Sequence, residues 1–120
     1  MQYLLMLYGD ESAWTRMTKE QQEQGGAAYF AYTEALKQAG VLRGSNRLRP
    51  SQTATRMRAE NGKTQVLDGP FADSKEQLGG YYLIEAPDLD AAMSWTARCP
   101  GVQHGTVEVR AIWQMGEAGY

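Results

Sequence analysis

The sequence predicts an α+β domain in which two helices cover one face of an antiparallel sheet. Three observations point there. Apolar runs at residues 2–8 and 78–86 each stand ahead of a helical pattern, and Asn61-Gly62 marks a hairpin between them. The resulting order is strand, long helix, strands with a hairpin, strand, helix, strand. Two strand–helix–strand units in that order give a ferredoxin-like sandwich. A chain of 120 residues, 42% hydrophobic and 22% charged, fits one domain spanning 1–120 with a modest core.

The first strand, residues 2–8, is apolar on both alternating faces: Tyr3, Leu5 and Leu7 on one, Leu4, Met6 and Tyr8 on the other. A strand of this kind needs cover on both sides. Gly9 to Ser12 ends it. Residues 19–39 predict the long helix, with Thr18 as N-cap, Gly40 at the stop, and a stripe of Ala28, Ala31, Tyr32, Ala35, Leu36 and Ala39. Gly25-Gly26 weakens its first half. Val41 to Gly44 reads as a short strand and Asn46 to Thr53 as a loop or edge. Residues 54–59 and 63–67 flank Asn61-Gly62 as the two arms of the hairpin.

Residues 73–77 predict a short helical turn, with Asp73 as a cap and Glu76 three positions on. The strand at 78–86 is again apolar on both faces through Tyr81, Tyr82, Leu83 and Ile84. Asp88 caps a second helix whose inner stripe is Leu89, Ala92, Met93 and Thr96, and Pro100-Gly101 ends it. Residues 106–113 form the last strand, with Val107, Val109, Ala111 and Trp113 on one face, and the tail from Gln114 has no pattern. Helices on one face leave the apolar residues of the first and fourth strands bare on the other. Burying each Leu or Met is worth roughly 1.5–3 kcal/mol, so a homodimer built sheet to sheet is expected.

Composition narrows the function classes. A formal charge of −2 argues against direct nucleic-acid binding by phosphate neutralisation. Arg43, Arg47, Arg49, Arg56 and Arg58 form the one basic region, read as solvated strand faces and loops or as an anion-binding patch. The lone Cys99 excludes an intrachain disulfide, and its place beside Pro100 suits packing better than catalysis. No membrane span is expected, the cytoplasm is the expected location, and neither a metal nor another cofactor is called for. Phosphate loops, dinucleotide fingerprints and nucleophile elbows are missing from the sequence.

The most distinctive stretch is Asp68-Gly69-Pro70-Phe71 followed by Lys75-Glu76-Gln77-Leu78-Gly79-Gly80-Tyr81-Tyr82-Leu83-Ile84. It resembles the YCII-related family in its DGPF-domain branch. The opening Tyr3 to Glu11, Asp88 to Ala92 leading to Trp95 and Pro100, and Gly105 to Arg110 resemble that branch too. The resemblance runs along nearly the whole chain and implies a ferredoxin-like, dimeric α/β-barrel type of fold. It also implies a cleft in which some members hold a histidine–aspartate pair, the histidine on the first helix, and some relatives act on small ring-derived substrates. This chain has no histidine on residues 19–40; Tyr29 or Tyr32 stands in that neighbourhood. The branch is often encoded beside extracytoplasmic-function sigma factors, which implies a regulatory association.

Asp68 is the candidate base, at a strand end before a turn; the alternative is that its carboxylate caps that turn. His104, the only histidine, is the one imidazole available for acid–base work and otherwise a solvated loop residue. Asp73, Lys75, Gly80, Tyr82 and Tyr29 are candidates for a ligand-binding wall, with turn capping and core packing as the competing explanations. Two functions follow as expectations: a homodimeric small-molecule binder or proton-transfer, lyase-like enzyme, and a non-catalytic accessory of a sigma factor.

Overall fold

A computed structural model describes residues 1–72 and 74–116. In chain order the elements are β1 (Gln2–Gly9), α1 (Glu11–Arg16), α2 (Lys19–Gln38), β2 (Leu42–Arg47), a 3₁₀ turn at Ser51–Thr53, β3 (Thr55–Glu60), β4 (Lys63–Asp68), β5 (Gln77–Glu85), α3 (Leu89–Ala97), α4 (Gly101–His104) and β6 (Thr106–Ala111). β2, β5, β1 and β6 form one sheet in that spatial order, every neighbouring pair antiparallel. β3 and β4 pair only with each other. The α+β ferredoxin-like class is therefore as expected, with the hairpin as a separate arm between β2 and β5.

Local chemistry sets most boundaries. Thr18 caps α2 in a reciprocal box: its hydroxyl accepts from the Gln21 amide at 3.1 Å, and the Gln21 side chain accepts from the Thr18 amide at 2.9 Å. The Asp88 carboxylate accepts from the Ala91 amide at 2.8 Å and starts α3. Asn61 and Gly62 both take positive φ, 52° and 79°, as a tight two-residue hairpin turn demands. At the other end of the arm Gly69, at φ 94°, donates its amide to the Ala54 carbonyl at 2.8 Å and closes the base.

The core lies between the helices and one face of the sheet. Tyr3 and Leu5 of β1, Tyr82 and Ile84 of β5, Tyr32 and Leu36 of α2, Ala92 of α3 and Cys99 are all buried together. Leu5, Leu36 and Ile84 are fully enclosed, each worth roughly 1.5–3 kcal/mol against exposure. On the other face Leu4 opposes Leu83 and Met6 opposes Tyr81, all four only half-buried.

Several local expectations are corrected. Residues 74–76 bend rather than forming a helical turn, and β5 begins at Gln77; the expected cap Asp73 lies outside the described residues. β2 extends past Gly44 to Arg47 as an edge strand, the edge alternative for Asn46 and Arg47, because these two pair with Tyr81 and Gly80. α2 is turned so that Tyr29, Tyr32, Thr33 and Leu36 face the sheet while Ala28, Ala31 and Ala39 are exposed. Larger side chains gain more from burial than alanines do. In α3, Leu89 and Met93 are exposed and Ala91 and Trp95 pack against the core instead. β6 stops at Ala111, and Trp113 beyond it is 60% exposed.

Candidate functional site

Antiparallel order brings four strand ends to one edge of the sheet: β1 and β2 leave it at Gly9 and Arg47, and β5 and β6 enter it at Gln77 and Thr106. Polar side chains tie this edge together. Glu11 donates its amide to Gln77 Oε1 at 3.1 Å, and its carboxylate accepts from the Ser51 amide at 2.7 Å and hydroxyl at 2.8 Å. Those two carboxylate bonds anchor the root of the hairpin arm to the start of α1. Thr106 Oγ1 donates to Glu76 at 2.8 Å. Asp10 caps α1 by accepting from Ser12, and these bonds, aided by Arg16 and Lys75, hold its carboxyl below the usual carboxylate range. Above α1 the Arg47 guanidinium lies 4.9 Å from the centre of the Trp14 ring, a cation–π contact.

Deeper on the helix side stands a tyrosine cluster. Tyr32 and Tyr82 meet edge to face at 5.2 Å, and Tyr32 donates to the Trp95 carbonyl at 2.8 Å. Thr33 donates to the Tyr29 carbonyl at 2.8 Å and stands 2.8 Å from the Tyr82 hydroxyl. One hydroxyl carries one proton, so with Thr33 spent on that carbonyl, Tyr82 is the donor in the second bond. The Tyr29 hydroxyl has no hydrogen-bond partner among the described residues. Burial, then Cys99 and Tyr82, push Tyr29 up to about 12, with Arg47 opposing. Tyr32 and Tyr82 are raised as well, chiefly by burial. Burial also raises the Cys99 thiol, against the Gly101 amide, so the thiol is neutral at pH 7 and unsuited to nucleophilic work.

Two glycines shape this corner. A Cβ on Gly101 would stand 3.1 Å from the Tyr29 hydroxyl and 3.2 Å from Val107, so only glycine leaves that hydroxyl its present space. A Cβ on Gly80 would meet the Asn46 carbonyl oxygen at 2.8 Å, where β2 closes on β5.

Of the residues singled out in the sequence, Tyr29 and Tyr82 come together, and Gly80 sits beside them opposite Leu7 and Arg47. Asp68 ends β4 across from Thr55, exposed, at the root of the arm. Lys75 is exposed within electrostatic reach of Asp10, and His104 is exposed at the end of α4. No hydrogen bond or ion pair among the described residues joins Asp68 to His104. Asp73 lies outside the described residues. Among the described residues no group of three or more His, Cys, Asp or Glu is placed to hold a metal, and no helix is long and apolar enough to cross a membrane. Sequence reasoning missed Trp14, Thr33, Glu11 and Ser51, and treated Arg47 only as one of five basic residues. Thr33 carried a signal, four residues after Tyr29 on one helical face.

An open groove of about 350 Å³ lies at the opposite end of the sheet, between Met1, Gln2 and Glu85 on one side and residues 112–115 on the other. The Glu85 carboxylate there is engaged by the N-terminal ammonium at 2.9 Å.

The model of the YCII-related domain matches residues 1–116. The chain belongs to the YCII-related family. Within it, an uncharacterised protein of Rhizobium meliloti (strain 1021) is 36% identical over 121 aligned positions, covering 98% of each chain. A YCII-related chain with tyrosine rather than histidine on the sheet-facing side of its long helix departs from the histidine–aspartate pattern that the family resemblance implied.

Proposed function

We propose that this YCII-related protein, of the DGPF branch and cytoplasmic, is a homodimer that binds a small molecule at the edge where Tyr29, Arg47 and Trp14 converge. The observation that carries the reading is the half-buried Tyr29 hydroxyl, without a hydrogen-bond partner among the described residues and within electrostatic reach of an Arg47 that makes no ion pair among them. A neutral phenol donates a hydrogen bond, a guanidinium presents a charge-assisted fork, and an indole offers an apolar wall. Together they suit a planar ligand with a carboxylate or carbonyl acceptor. The dimer is supported by the incompletely buried Leu4, Met6, Tyr81 and Leu83 on the sheet face away from the helices. Where proton transfer occurs, Asp68 is the proposed base, with His104, Lys75 and Asp73 as further candidate polar groups.

Native mass spectrometry of the protein purified from its own host tests this. The expected spectrum is a dimer carrying one reproducible small-molecule mass, lost in Tyr29→Phe and Arg47→Ala. Empty wild-type chains, or an adduct retained by both variants, would sink the reading. A second reading, a non-catalytic accessory of an extracytoplasmic-function sigma factor, draws on Met57, Val66 and Phe71, which are 65%, 60% and 89% exposed away from the sheet.

A further inference from the structure

The arginines divide by partner along the chain. Arg16 meets Ser12 and Asp10, Arg43 meets the Gly40 and Leu42 carbonyls, and Arg110 meets Glu108, while Arg47 and Arg98 lie over Trp14 and Trp95. Arg49, Arg56 and Arg58 have no hydrogen bond, ion pair or ring contact among the described residues. All three fall within residues 49–58, a stretch that contains no acidic residue.

Arg56 stands apart even in this set. Its Nε is buried and meets no acceptor, while the residue as a whole keeps some exposure. A buried donor on a charged group is costly unless an acceptor or counter-ion pairs with it, so an orphan of this kind points to a ligand. Packing around Nε also restrains the side chain, which therefore loses little freedom when an anion binds.

The surrounding charges select the anion. Register puts Arg56 opposite Leu67 and Arg58 opposite Gln65 on one face of the β3–β4 arm, two residues apart and so about 6.7 Å along the strand. The carboxylates nearest in the chain are spent or turned away. Glu60 pairs across the strands with Lys63, Asp68 stands on the opposite face across from Thr55, and Glu11 gives both oxygens to Ser51. The Arg56 face thus sets three basic residues, Arg56, Arg58 and Lys63, against one acidic, Glu60, a net +2. One guanidinium fork fills a carboxylate. Two forks on one strand suit an anion with acceptors on several sides and more than one charge, which is a phosphoryl group. With −2 overall, the chain suits a small phosphorylated molecule or free phosphate rather than a polynucleotide.

We propose that the Arg56 face of the β3–β4 arm is a phosphoryl-binding site, with Arg56 and Arg58 as its two guanidinium forks. It is separate from the Tyr29–Arg47 corner and does not depend on it. Titration calorimetry on the full chain, with inorganic phosphate at one fixed ionic strength, tests it. Wild type is expected to bind one phosphate per chain, with a Kd on the order of 1 mM or tighter. Arg56→Met is expected to raise that Kd about 10–100-fold, and Arg58→Ala to raise it about tenfold. Without phosphate, Arg56→Met should unfold at the same temperature as wild type or higher, because the orphaned donor is gone; phosphate should raise the midpoint of wild type alone. Should Arg56→Met fail to fold, the exposed Arg58→Ala decides. A glycerol phosphate ester titrated in parallel names the source: binding equal to that of free phosphate assigns a phosphorylated small molecule, and rejection of the ester assigns the free ion. A wild type that takes up no phosphate overturns the proposal, as does an unchanged Kd in either arginine variant. Binding lost in Arg47→Ala but kept in Arg56→Met also overturns it and moves the anion to the Tyr29 corner.

Discussion

Replacing Thr33 by valine keeps the branched shape and deletes one oxygen, and its consequences fall mostly on another residue. Tyr82 is only 7% exposed and donates its proton to Thr33 Oγ1 at 2.8 Å. Without that acceptor a buried donor is left unsatisfied, which costs about 1–3 kcal/mol. The Thr33 bond to the Tyr29 carbonyl adds little, because that carbonyl already accepts from the helix. Tyr82→Phe is gentler, about 0.5–1.5 kcal/mol, since Thr33 keeps its bond to Tyr29. In Thr33→Val/Tyr82→Phe neither partner is left bare, so the double variant should lose less than the sum of the singles by about 1 kcal/mol. At about 4 °C per kcal/mol for 120 residues, Thr33→Val should lower Tm by about 4–12 °C. Urea unfolding at one fixed protomer concentration measures all four corners of the cycle. Additivity within about 0.3 kcal/mol would refute the Tyr82–Thr33 bond as described.

Gly80→Ala drives a Cβ into the Asn46 carbonyl oxygen at 2.8 Å and should cost about 1–3 kcal/mol, with a change in Trp14 fluorescence as β2 moves Arg47 off the indole; wild-type emission would count against it. At alkaline pH the folded tyrosines hold protons that the unfolded chain has released. Stability contributed by Tyr29 is therefore full below pH 10 and falls as pH rises through about 12, with Tyr32 and Tyr82 acting in the same sense. Tyrosinate absorbance should lag in native protein, and Tyr29→Phe should flatten the stability loss over that window. Asp68→Asn should leave the unfolding midpoint within about 0.5 kcal/mol, because the carboxylate is exposed and caps nothing among the described residues; a large loss would restore the turn-capping role.

The elements legible in the sequence were those whose cause is local. Asn61-Gly62 supplies two positive φ angles, Thr18 and Asp88 supply caps, and Gly40 ends α2 at φ 72°. The rotation of α2 was not legible, because an alanine stripe and the Tyr29–Tyr32–Leu36 stripe overlap on one helix, and only the sheet opposite chooses between them. The site edge was less legible still. Glu11 reaches Ser51 across 40 residues and Arg47 of β2 reaches Trp14 of α1 past the whole of α2, contacts that no short spacing announces. Trp14 itself lies on α1, a helix of six residues too short to show an amphipathic period.

The thin dimension of the molecule joins these strands of argument. Its smallest extent is 18 Å, room for one sheet and one helical layer at about 10 Å each. Among the described residues no third layer covers Leu4, Met6, Tyr81 and Leu83, and this is the face on which the proposed homodimer would close. Tyr29 and Thr33, by contrast, lie on the helix side, with Tyr82 and Gly80 pointing toward them through the register of β5. The proposed interface and the proposed ligand corner thus fall on opposite faces of one sheet. Loss of the dimer should then leave the ligand in place: a Met6→Asp/Tyr81→Asp monomer, altered on the open sheet face, should carry the same small-molecule mass as wild type. A monomer stripped of that mass would mean instead that the second copy completes the site, and that the Tyr29–Arg47 corner is only part of it.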